Sequence, residues 1–245
     1  MDLPEPAFRR VLLKLSGELL RGTQTFGIDA PALRRVADEV RAVRQRGVEI
    51  AIVLGGGNMF RGVTATATGI DRGTADQIGM LATVANGLAC RSLFEQSGVP
   101  TCLMSAVEVG GVAALFDRRV ALSALHGGEV VIFVAGTGNP YFTTDTAAAL
   151  RALQIGADVM LKGTKVDGVY SADPVQHPDA ERYPTLTWGE LLARRLAVMD
   201  LSAAALCADN HLPVVVFNMR TSGMLDRVIS GEPVGTRITS EGAGA

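Results

Sequence analysis

The sequence predicts an α/β protein in which helices cover both faces of a mainly parallel β-sheet. Short apolar runs rich in β-branched residues recur along the chain with helical patterns between them, which is the order of parallel strands joined by crossover helices. Several runs, such as Val130 to Ala135, are apolar at consecutive positions, which is typical of strands buried on both faces. Glycine-rich stretches directly follow three of the runs, at the strand ends where α/β proteins place their ligand sites.

Length and composition are those of one globular domain. Of the 245 residues 48% are hydrophobic and 20% charged, and no Pro/Gly/Ser-rich linker divides them, so we expect a single domain of two lobes that share a sheet. A formal charge of −2 argues against nucleic-acid binding, which needs clustered cations. The amino terminus has no signal-peptide hydrophobic region, and no apolar run approaches the ~20 residues that cross a bilayer. We therefore expect a cytoplasmic protein without nucleic-acid or membrane partners.

Hydrophobic periodicity places the elements. Strands are predicted at Arg10–Leu15, Glu49–Leu54, Thr101–Met104, Val130–Ala135, Val159–Lys162 and Val214–Asn218. Helices are predicted after Asp29, at about Thr74–Gln96 and Thr144–Ile155, and near Trp188–Arg195 and Leu201–Asp209. In the first of these helices, Asp29 is expected to cap the start, Pro31 to occupy the first turn and Gly47 to end the helix.

The glycine-rich stretches follow the first, second and fourth predicted strands. They are Lys14-Leu15-Ser16-Gly17, Gly55-Gly56-Gly57-Asn58 and Gly136-Thr137-Gly138-Asn139-Pro140. Glycine lets the main chain approach a ligand closely, so that successive N–H groups can surround an anion. One such cluster would indicate only a tight turn, whereas three at the same edge of a sheet indicate phosphate binding. None matches the P-loop pattern G-x-x-x-x-G-K-S/T, which excludes an ordinary P-loop enzyme, and none has the G-x-G-x-x-G spacing of dinucleotide sites.

Two lysines and two aspartates are predicted to lie near these glycines. Lys14 and Lys162 fall at the carboxyl ends of apolar strands, where a partly buried ammonium needs a counter-charge or a ligand. Asp145 and Asp200 precede helical patterns, so that each can cap a helix or orient a lysine. These features together predict a site that binds phosphate groups at the carboxyl edge of the sheet.

Eight motifs occur in order over almost the whole chain. They are LLKLSGE at 12–18, GTQTFGID at 22–29, VLGGGNMFRG at 53–62, DRGTADQIGMLATVANGL at 71–88, AGTGNPYFTTDTAAALRA at 135–152, LKGTKVDGVYSADP at 161–174, VMDLSA at 198–203 and LPVVVFNM at 212–219. In number, order and spacing they resemble the amino acid kinase family and, within it, the bacterial uridylate kinases.

The resemblance implies a three-layer αβα sandwich with a mainly parallel central sheet. In such a fold, a lobe of about residues 1–155 would bind UMP and a lobe of about 156–245 would bind ATP. The implied reaction converts UMP and ATP, with Mg²⁺, to UDP and ADP in pyrimidine nucleotide biosynthesis. A homohexamer, activation by GTP and inhibition by UTP are also implied.

The resemblance also assigns residues to roles. For the ATP side they are Lys14, Leu15, Ser16, Gly17, Gly57, Arg61, Thr164, Tyr170 and Asp173. For the UMP side they are Gly56, Asp76, Thr137, Gly138, Asn139, Pro140, Tyr141, Phe142, Thr143 and Thr144. The segment associated with GTP comprises Gly22, Thr23, Gln24, Thr25, Phe26 and Gly27. Lys14 and Lys162 are the candidates for contacting the transferred group, with Asp145 and Asp200 orienting them; no metal ligand is assigned, because in this family the phosphates largely hold the metal.

Two other functions stay open at this point. One is a kinase of the same fold that phosphorylates a carboxylate, such as acetylglutamate or aspartate; the segments 71–79 and 136–144 match the nucleotide branch instead. The other is a nucleotide-binding protein without turnover, against which the retention of Lys14, Asp145 and Lys162 argues. Cys90, Cys102 and Cys207 are too widely spaced for a metal site and are interpreted as small buried hydrophobic residues.

Overall fold

The computed structural model describes residues 4–60, 69–174, 176–177, 179–196 and 198–240. The strands in this part are β1 (Arg10–Leu15), β2 (Glu49–Leu54), β3 (Thr101–Ser105), β4 (Ala114–Leu115), β5 (Val130–Val134), β6 (Val159–Thr164), β7 (Val169–Tyr170), β8 (Arg182–Tyr183), β9 (Thr185–Thr187), β10 (Val214–Asn218) and β11 (Thr236–Thr239). The helices are α1 (Gly17–Leu20), α2 (Ala30–Gln45), α3 (Arg72–Gln96), α4 (Arg118–His126), α5 (Thr144–Ile155), α6 (Trp188–Ala193), α7 (Leu201–Asp209) and α8 (Met224–Ile229).

The described strands form one nine-stranded sheet and a separate two-stranded ribbon. The order in the sheet is β4-β3-β5-β2-β1-β6-β10-β11-β9, and β7 pairs with β8. All pairings in the large sheet are parallel except that of β10 with β11. Consequently, the carboxyl ends of the central strands β5, β2, β1, β6 and β10 meet at the same edge, which is where ligands bind in sheets of this kind.

Alternate residues of each central strand belong to two separate hydrophobic layers. In β1, Leu13 and Leu15 pack with α2 and α3 on one face of the sheet, whereas Leu12 packs with α4 and α5 on the other. All three leucines are 0% exposed, and each contributes about 2 kcal/mol to the free energy of unfolding by its burial. The predicted three-layer αβα sandwich with a mainly parallel sheet is therefore confirmed.

Most predicted elements occur close to their expected bounds. β1, β2, β10, α5 and α7 begin and end where the sequence predicts. β6 continues two residues past Lys162 to Thr164, which places Lys162 within the strand rather than at its end. The periodicity did not predict α1, α4 and α8 or the short strands β4, β7, β8, β9 and β11.

The start of α2 differs from the prediction in one contact. Asp29 occupies the N-cap position, but its side chain makes no capping hydrogen bond. Its carboxylate lies instead against Gly22, where an added Cβ would come within 2.0 Å of Oδ2. Pro31 lies in the first turn as predicted, and Gly47 follows the helix with the left-handed φ of 83° that ends many helices.

The predicted division into two lobes near residue 155 stays a prediction. β1 from the first half of the chain pairs with β6 from the second. Both hydrophobic layers also contain residues of both halves, as Leu33 and Phe217 illustrate for one layer. In the described ranges, no helix has the length and apolarity needed to cross a membrane.

Candidate active site

Two lysines contact one aspartate at the carboxyl edge of the sheet. Lys14 in β1 and Lys162 in β6 are paired in the register of the two parallel strands, so their side chains leave the same face of the sheet. Asp145 lies in the first turn of α5, which packs on that face. Its Oδ1 is 2.8 Å from Lys14 Nζ, and its Oδ2 accepts a hydrogen bond from Lys162 Nζ. One carboxylate therefore holds two ammonium groups in place.

The three charged groups are largely removed from water. The side chains of Lys14, Asp145 and Lys162 are 10%, 13% and 11% exposed. Burial acts to raise the pKa of Asp145, but the two lysine charges outweigh it, so the pKa of this carboxyl lies below its usual value. Burial lowers the pKa of Lys162, and the charge of Asp145 opposes this shift only in part. The cluster carries one surplus positive charge, which favours an anion such as a transferring phosphoryl group.

Thr143, rather than Asp145, caps α5. Its Oγ1 accepts hydrogen bonds from the main-chain N–H groups of Asp145 at 3.0 Å and Thr146 at 3.4 Å. The sequence left open whether Asp145 caps the helix or orients a lysine, and the geometry favours the second role. Because Asp145 lies in the first turn of the helix, the helix dipole also stabilises its negative charge.

Asp200 supports the start of α5 from the neighbouring helix. As the N-cap of α7, it accepts a hydrogen bond of 3.0 Å from the N–H of Ala203. Its Oδ1 accepts a bond of 2.9 Å from Thr146 Oγ1, and its Oδ2 accepts one from Thr143 Oγ1. The contacts found in the described ranges thus join Asp200 to threonines, not to the lysines it was predicted to orient. Burial lowers the pKa of Lys162, and the charge of Asp200, acting at a distance, opposes part of this shift.

The glycine-rich loop after β2 packs against the turn after β1. A Cβ at Gly17 would lie 2.7 Å from the nitrogen of Asn58, and a Cβ at Gly56 would lie 2.7 Å from the carbonyl oxygen of Gly79. Neither position accepts a side chain unless the main chain moves. A Cβ at Gly57, by contrast, would meet no atom within 4 Å. Gly57 therefore faces open space, as a residue that approaches a phosphate must.

A cavity of about 280 Å³ lies between the glycine loop, α3 and the start of α5; we call it the α3 cavity. Seven of the ten residues predicted for the UMP side line it, namely Gly56, Asp76, Thr137, Asn139, Phe142, Thr143 and Thr144. Gly57, predicted for the ATP side, lines it too, which places this glycine at the boundary between the two sides. Gly138, Pro140 and Tyr141 lie in the same turn, and the N–H of Tyr141 donates to Asp76 Oδ2 at 2.8 Å.

A second cavity of about 490 Å³ lies beside β7; we call it the β7 cavity. Thr164, Tyr170 and Asp173, all predicted for the ATP side, line it. Thr164, two residues after Lys162 on β6, lines the β7 cavity, and Thr143 and Thr144, directly before Asp145, line the α3 cavity. The two cavities thus adjoin the ends of the elements that carry the charged cluster.

Some predicted residues have other positions. Leu15 is 0% exposed and packs in the core, so its side chain cannot contact a ligand in the cleft. Ser16 is the N-cap residue of α1, directly after β1. Arg61 lies outside the described residues. In the predicted GTP segment, Gly22 and Thr23 line a further cavity of about 300 Å³, and Phe26 is 64% exposed.

Four further polar residues near the site had no role predicted from the sequence. Arg72 Nε donates to Asp76 Oδ2 at 2.8 Å at the rim of the α3 cavity, and Thr146 binds Asp200. Asn58 and Asn86 form a buried pair beneath the glycine loop. Asn86 lies among small and apolar residues of α3. An amide in such a position indicates a buried side chain whose hydrogen-bonding groups have partners.

The fold and the lysine–aspartate cluster are those of a kinase without a P-loop, and comparisons with known proteins agree. The sequence model of the amino acid kinase family matches residues 9–218, so the chain belongs to the amino acid kinase family. It is 53% identical over 234 residues to the uridylate kinase of Pseudomonas paraeruginosa, covering 96% of each chain. The predicted resemblance to the uridylate kinase branch is thereby confirmed.

Solved structures show the same likeness. The UMP kinase of Bacillus anthracis superposes with a TM-score of 0.93 at 35% identity, covering 96% of this chain and 97% of that one. The UMP kinase of Ureaplasma parvum superposes with a TM-score of 0.89 at 34% identity, covering 98% of this chain and 100% of the other.

Proposed function

We propose that this chain is a nucleoside monophosphate kinase that transfers the γ-phosphoryl group of ATP to the phosphate of UMP, giving UDP and ADP. The observation that carries the proposal is the cluster of Lys14, Asp145 and Lys162 at the carboxyl edge of the sheet, on elements whose ends line two cavities. Relatives named uridylate kinase and UMP kinase, which match over nearly the whole chain, support the choice of UMP as acceptor. They do not favour an amino-acid kinase or a binding protein without turnover.

The α3 cavity is proposed to hold UMP, and the β7 cavity the adenosine of ATP. This arrangement places the acceptor phosphate near Gly56 and the start of α5, where main-chain N–H groups stabilise an anion. The phosphates of ATP extend past Thr164 towards Lys162. The two phosphates then meet between the glycine loop and the lysines, as in-line transfer requires.

In the proposed reaction, an oxygen of the UMP phosphate attacks the γ-phosphorus, and the bond from that phosphorus to the bridging oxygen of ADP breaks. The acceptor oxygen is already anionic, so no protein base is needed. Lys14 and Lys162 neutralise the charge on the transferring group, and Asp145 keeps both ammonium groups in position. Positioning and charge neutralisation are the main contributions that proteins make to phosphoryl transfer.

Mg²⁺ is proposed to enter with ATP. Within the described part of the chain, no group of three or more His, Cys, Asp or Glu side chains is placed to hold a metal ion. Asp145 is engaged by two lysines and Asp200 by two threonines, so the carboxylates of these two residues already have other partners. We therefore assign the cation to the phosphates of the nucleotide.

A homohexamer, activation by GTP and inhibition by UTP are further proposals that come from the family resemblance. The Gly22–Gly27 segment, proposed to respond to GTP, is connected to the glycine loop because the N–H of Gly27 donates to the carbonyl of Asn58 at 3.0 Å. A ligand that moved this segment would therefore act on the loop that lines the α3 cavity.

Acceptor choice tests the proposed function. ADP release should be measured with ATP and each of UMP, CMP, AMP, GMP, acetylglutamate and aspartate. We expect kcat/KM for UMP to exceed that for every other acceptor by about 100-fold or more, since a site built to bind one base leaves buried polar groups unpaired with another. Equal turnover of CMP and UMP, or turnover of an amino acid, would contradict the proposal.

A further inference from the structure

Asn58 and Asn86 form a reciprocal amide pair directly beneath the glycine loop. Their residues are 2% and 1% exposed. Asn58 Nδ2 donates to Asn86 Oδ1 at 2.9 Å, and Asn86 Nδ2 donates to Asn58 Oδ1 at 2.7 Å. The two side chains are thus joined by two hydrogen bonds in a closed ring.

The remaining amide donor of each residue binds a main-chain carbonyl. Asn86 Nδ2 also donates to the carbonyl oxygen of Gly55 at 2.8 Å, and Asn58 Nδ2 donates to that of Gly27 at 2.8 Å. Every side-chain donor of the pair is therefore used, although the pair is buried. Buried amides destabilise a protein unless they are bonded in this way, and a fully bonded buried network specifies one arrangement of the groups it joins.

The bond to the Gly55 carbonyl also determines the direction of the next N–H group. The C=O of Gly55 and the N–H of Gly56 belong to one planar peptide unit and point in opposite directions when it is trans. Since Asn86 draws the carbonyl towards α3, the Gly56 N–H points away from Asn86. Gly56 lines the α3 cavity and packs closely on α3, where an added Cβ would lie 2.7 Å from the Gly79 carbonyl oxygen.

We propose that Asn58 and Asn86 are positioning residues for phosphoryl transfer: by holding the Gly55 carbonyl, the pair fixes the orientation of the Gly55–Gly56 peptide at the wall of the α3 cavity, where the phosphate of UMP is proposed to bind. This inference rests on the proposed function. The pair touches no reacting atom and acts through the glycine loop. Its effect should fall on charge that develops during transfer, because an N–H held in advance stabilises the transition state without reorganising.

The test uses Asn58→Ala, Asn86→Ala and the double variant, with Phe94→Leu as a control on the same helix. Phe94 is 0% exposed, so its truncation lowers stability without touching the loop. For each protein, kcat, the KM for UMP and the melting temperature are measured. We expect either Asn→Ala change to lower kcat by about tenfold or more and to change KM by less than about threefold. The double variant should lose no more than the worse single variant, because one change already opens the ring.

Asn86→Asp is a further variant, which keeps the proposal testable if the alanine variants do not fold. It preserves volume, but an ionised carboxylate cannot donate to Gly55, so kcat should fall as in Asn86→Ala. Lowering the pH protonates the introduced carboxyl and restores one donor, so its kcat should recover relative to the wild type. Protonation also removes a buried charge, so the melting temperature is measured at each pH, and a recovery of kcat without a parallel rise in melting temperature identifies the positioning role.

The outcomes separate the two proposals. If the wild type turns over UMP but the asparagine variants lose melting temperature and retain kcat, as Phe94→Leu should, the positioning role is overturned and the proposed function stands. Strictly multiplicative losses of kcat in the double variant would also overturn the paired role. If the wild type does not turn over UMP at all, the proposed function fails and this inference fails with it.

Discussion

At the scale of single residues, the site depends on one carboxylate placed between two ammonium groups. Asp145 lies between Lys14 and Lys162 and offsets part of the repulsion between the two ammonium groups. The arrangement is electrostatically costly without a ligand, because burial disfavours all three charges. Active sites retain such buried charges where they stabilise negative charge that develops on the substrate during the reaction.

Lys14→Ala should lower kcat much more than it raises the KM for UMP. Lys14 is proposed to stabilise charge that increases in the transition state, and such contacts act on kcat. We expect a loss greater than about tenfold, which corresponds to ~1.4 kcal/mol of barrier. Steady-state kinetics on Lys14→Ala and on Arg34→Ala, an exposed position of α2, provide the comparison. If the kcat of Lys14→Ala stayed within about tenfold of the wild-type value, Lys14 would not be a catalytic residue.

Asp145→Asn should impair both stability and catalysis. The change leaves two buried cations without a counter-charge, so the free energy of unfolding should fall by roughly 3 kcal/mol. Without the carboxylate, the pKa of Lys162 should fall further, since Asp145 raises it. The lysine then loses its proton at lower pH, and the alkaline limb of the kcat profile should shift to lower pH than in the wild type.

The free energy of unfolding at acid pH offers an independent check on the role of Asp145. The pKa of this carboxyl is lowered from 3.8 on folding, so its contribution to stability is present above pH 3.8 and is lost as the pH falls through the lower folded value. Urea unfolding between pH 3 and 7 should therefore show a steeper acid loss in the wild type than in Asp145→Asn. Parallel curves, together with wild-type kcat, would show that Asp145 does not hold the lysines.

At the scale of elements, loops and helix starts place these residues. Thr143 begins α5, and Asp200 joins that start to the start of α7, so the first turn carrying Asp145 is held from two sides. The glycine loop after β2 lies within backbone contact distance of α1 and α3. The positions of the reacting groups therefore depend on how closely these segments pack.

Alanine at Gly56 and at Gly57 should have different effects on folding. The Gly56→Ala Cβ would meet the Gly79 carbonyl at 2.7 Å and the Ala82 Cβ at 3.1 Å, so the loop must move away from α3 and the melting temperature should fall. Gly57→Ala meets open space, so its melting temperature should stay near wild type, while its methyl group enters the cleft and lowers kcat/KM. Thermal unfolding and kinetics on both variants test this contrast, and equal melting temperatures would contradict it.

At the scale of the whole molecule, the central sheet brings distant segments to one edge. β1 and β6 are separated by more than a hundred residues in sequence yet pair in register, and this pairing places the two lysines side by side. β5 and β2 bring the glycine loop and the turn at Gly136 to the same edge. The architecture thus assembles a site that no local segment contains.

The proposed homohexamer is a prediction at the same scale. Sedimentation equilibrium should give a mass close to six times the 25.7 kDa of one chain, because closed symmetric assemblies are the usual form of soluble oligomers. The measurement should be repeated with GTP and with UTP, to learn whether either nucleotide changes the assembly. A monomer or dimer at micromolar concentration would contradict the hexamer.

Residue order alone predicted the fold class, most of the central strands and the family. Consecutive apolar residues in β1, β2 and β10 predicted the bounds of these strands, because a strand that is covered on both faces is apolar at successive positions. The eight motifs were sufficient to identify the amino acid kinase family, since family membership is a property of residue order. Short elements such as β7, β8 and α1 were missed, because so few residues carry no measurable period.

Which residues act together follows from the packing of the folded chain and not from residue order. Residues 14, 145 and 162 are far apart in the chain, and the contact of Asp145 with both lysines depends on the pairing of β1 with β6 and on the packing of α5 above them. The sequence could not distinguish a capping role from an orienting role for Asp145 and Asp200, because both roles require the same residue type before a helix. The Asn58–Asn86 pair could not be predicted either: the position of Asn86 among small and apolar residues indicates a buried contact, but packing decides which residue is its partner.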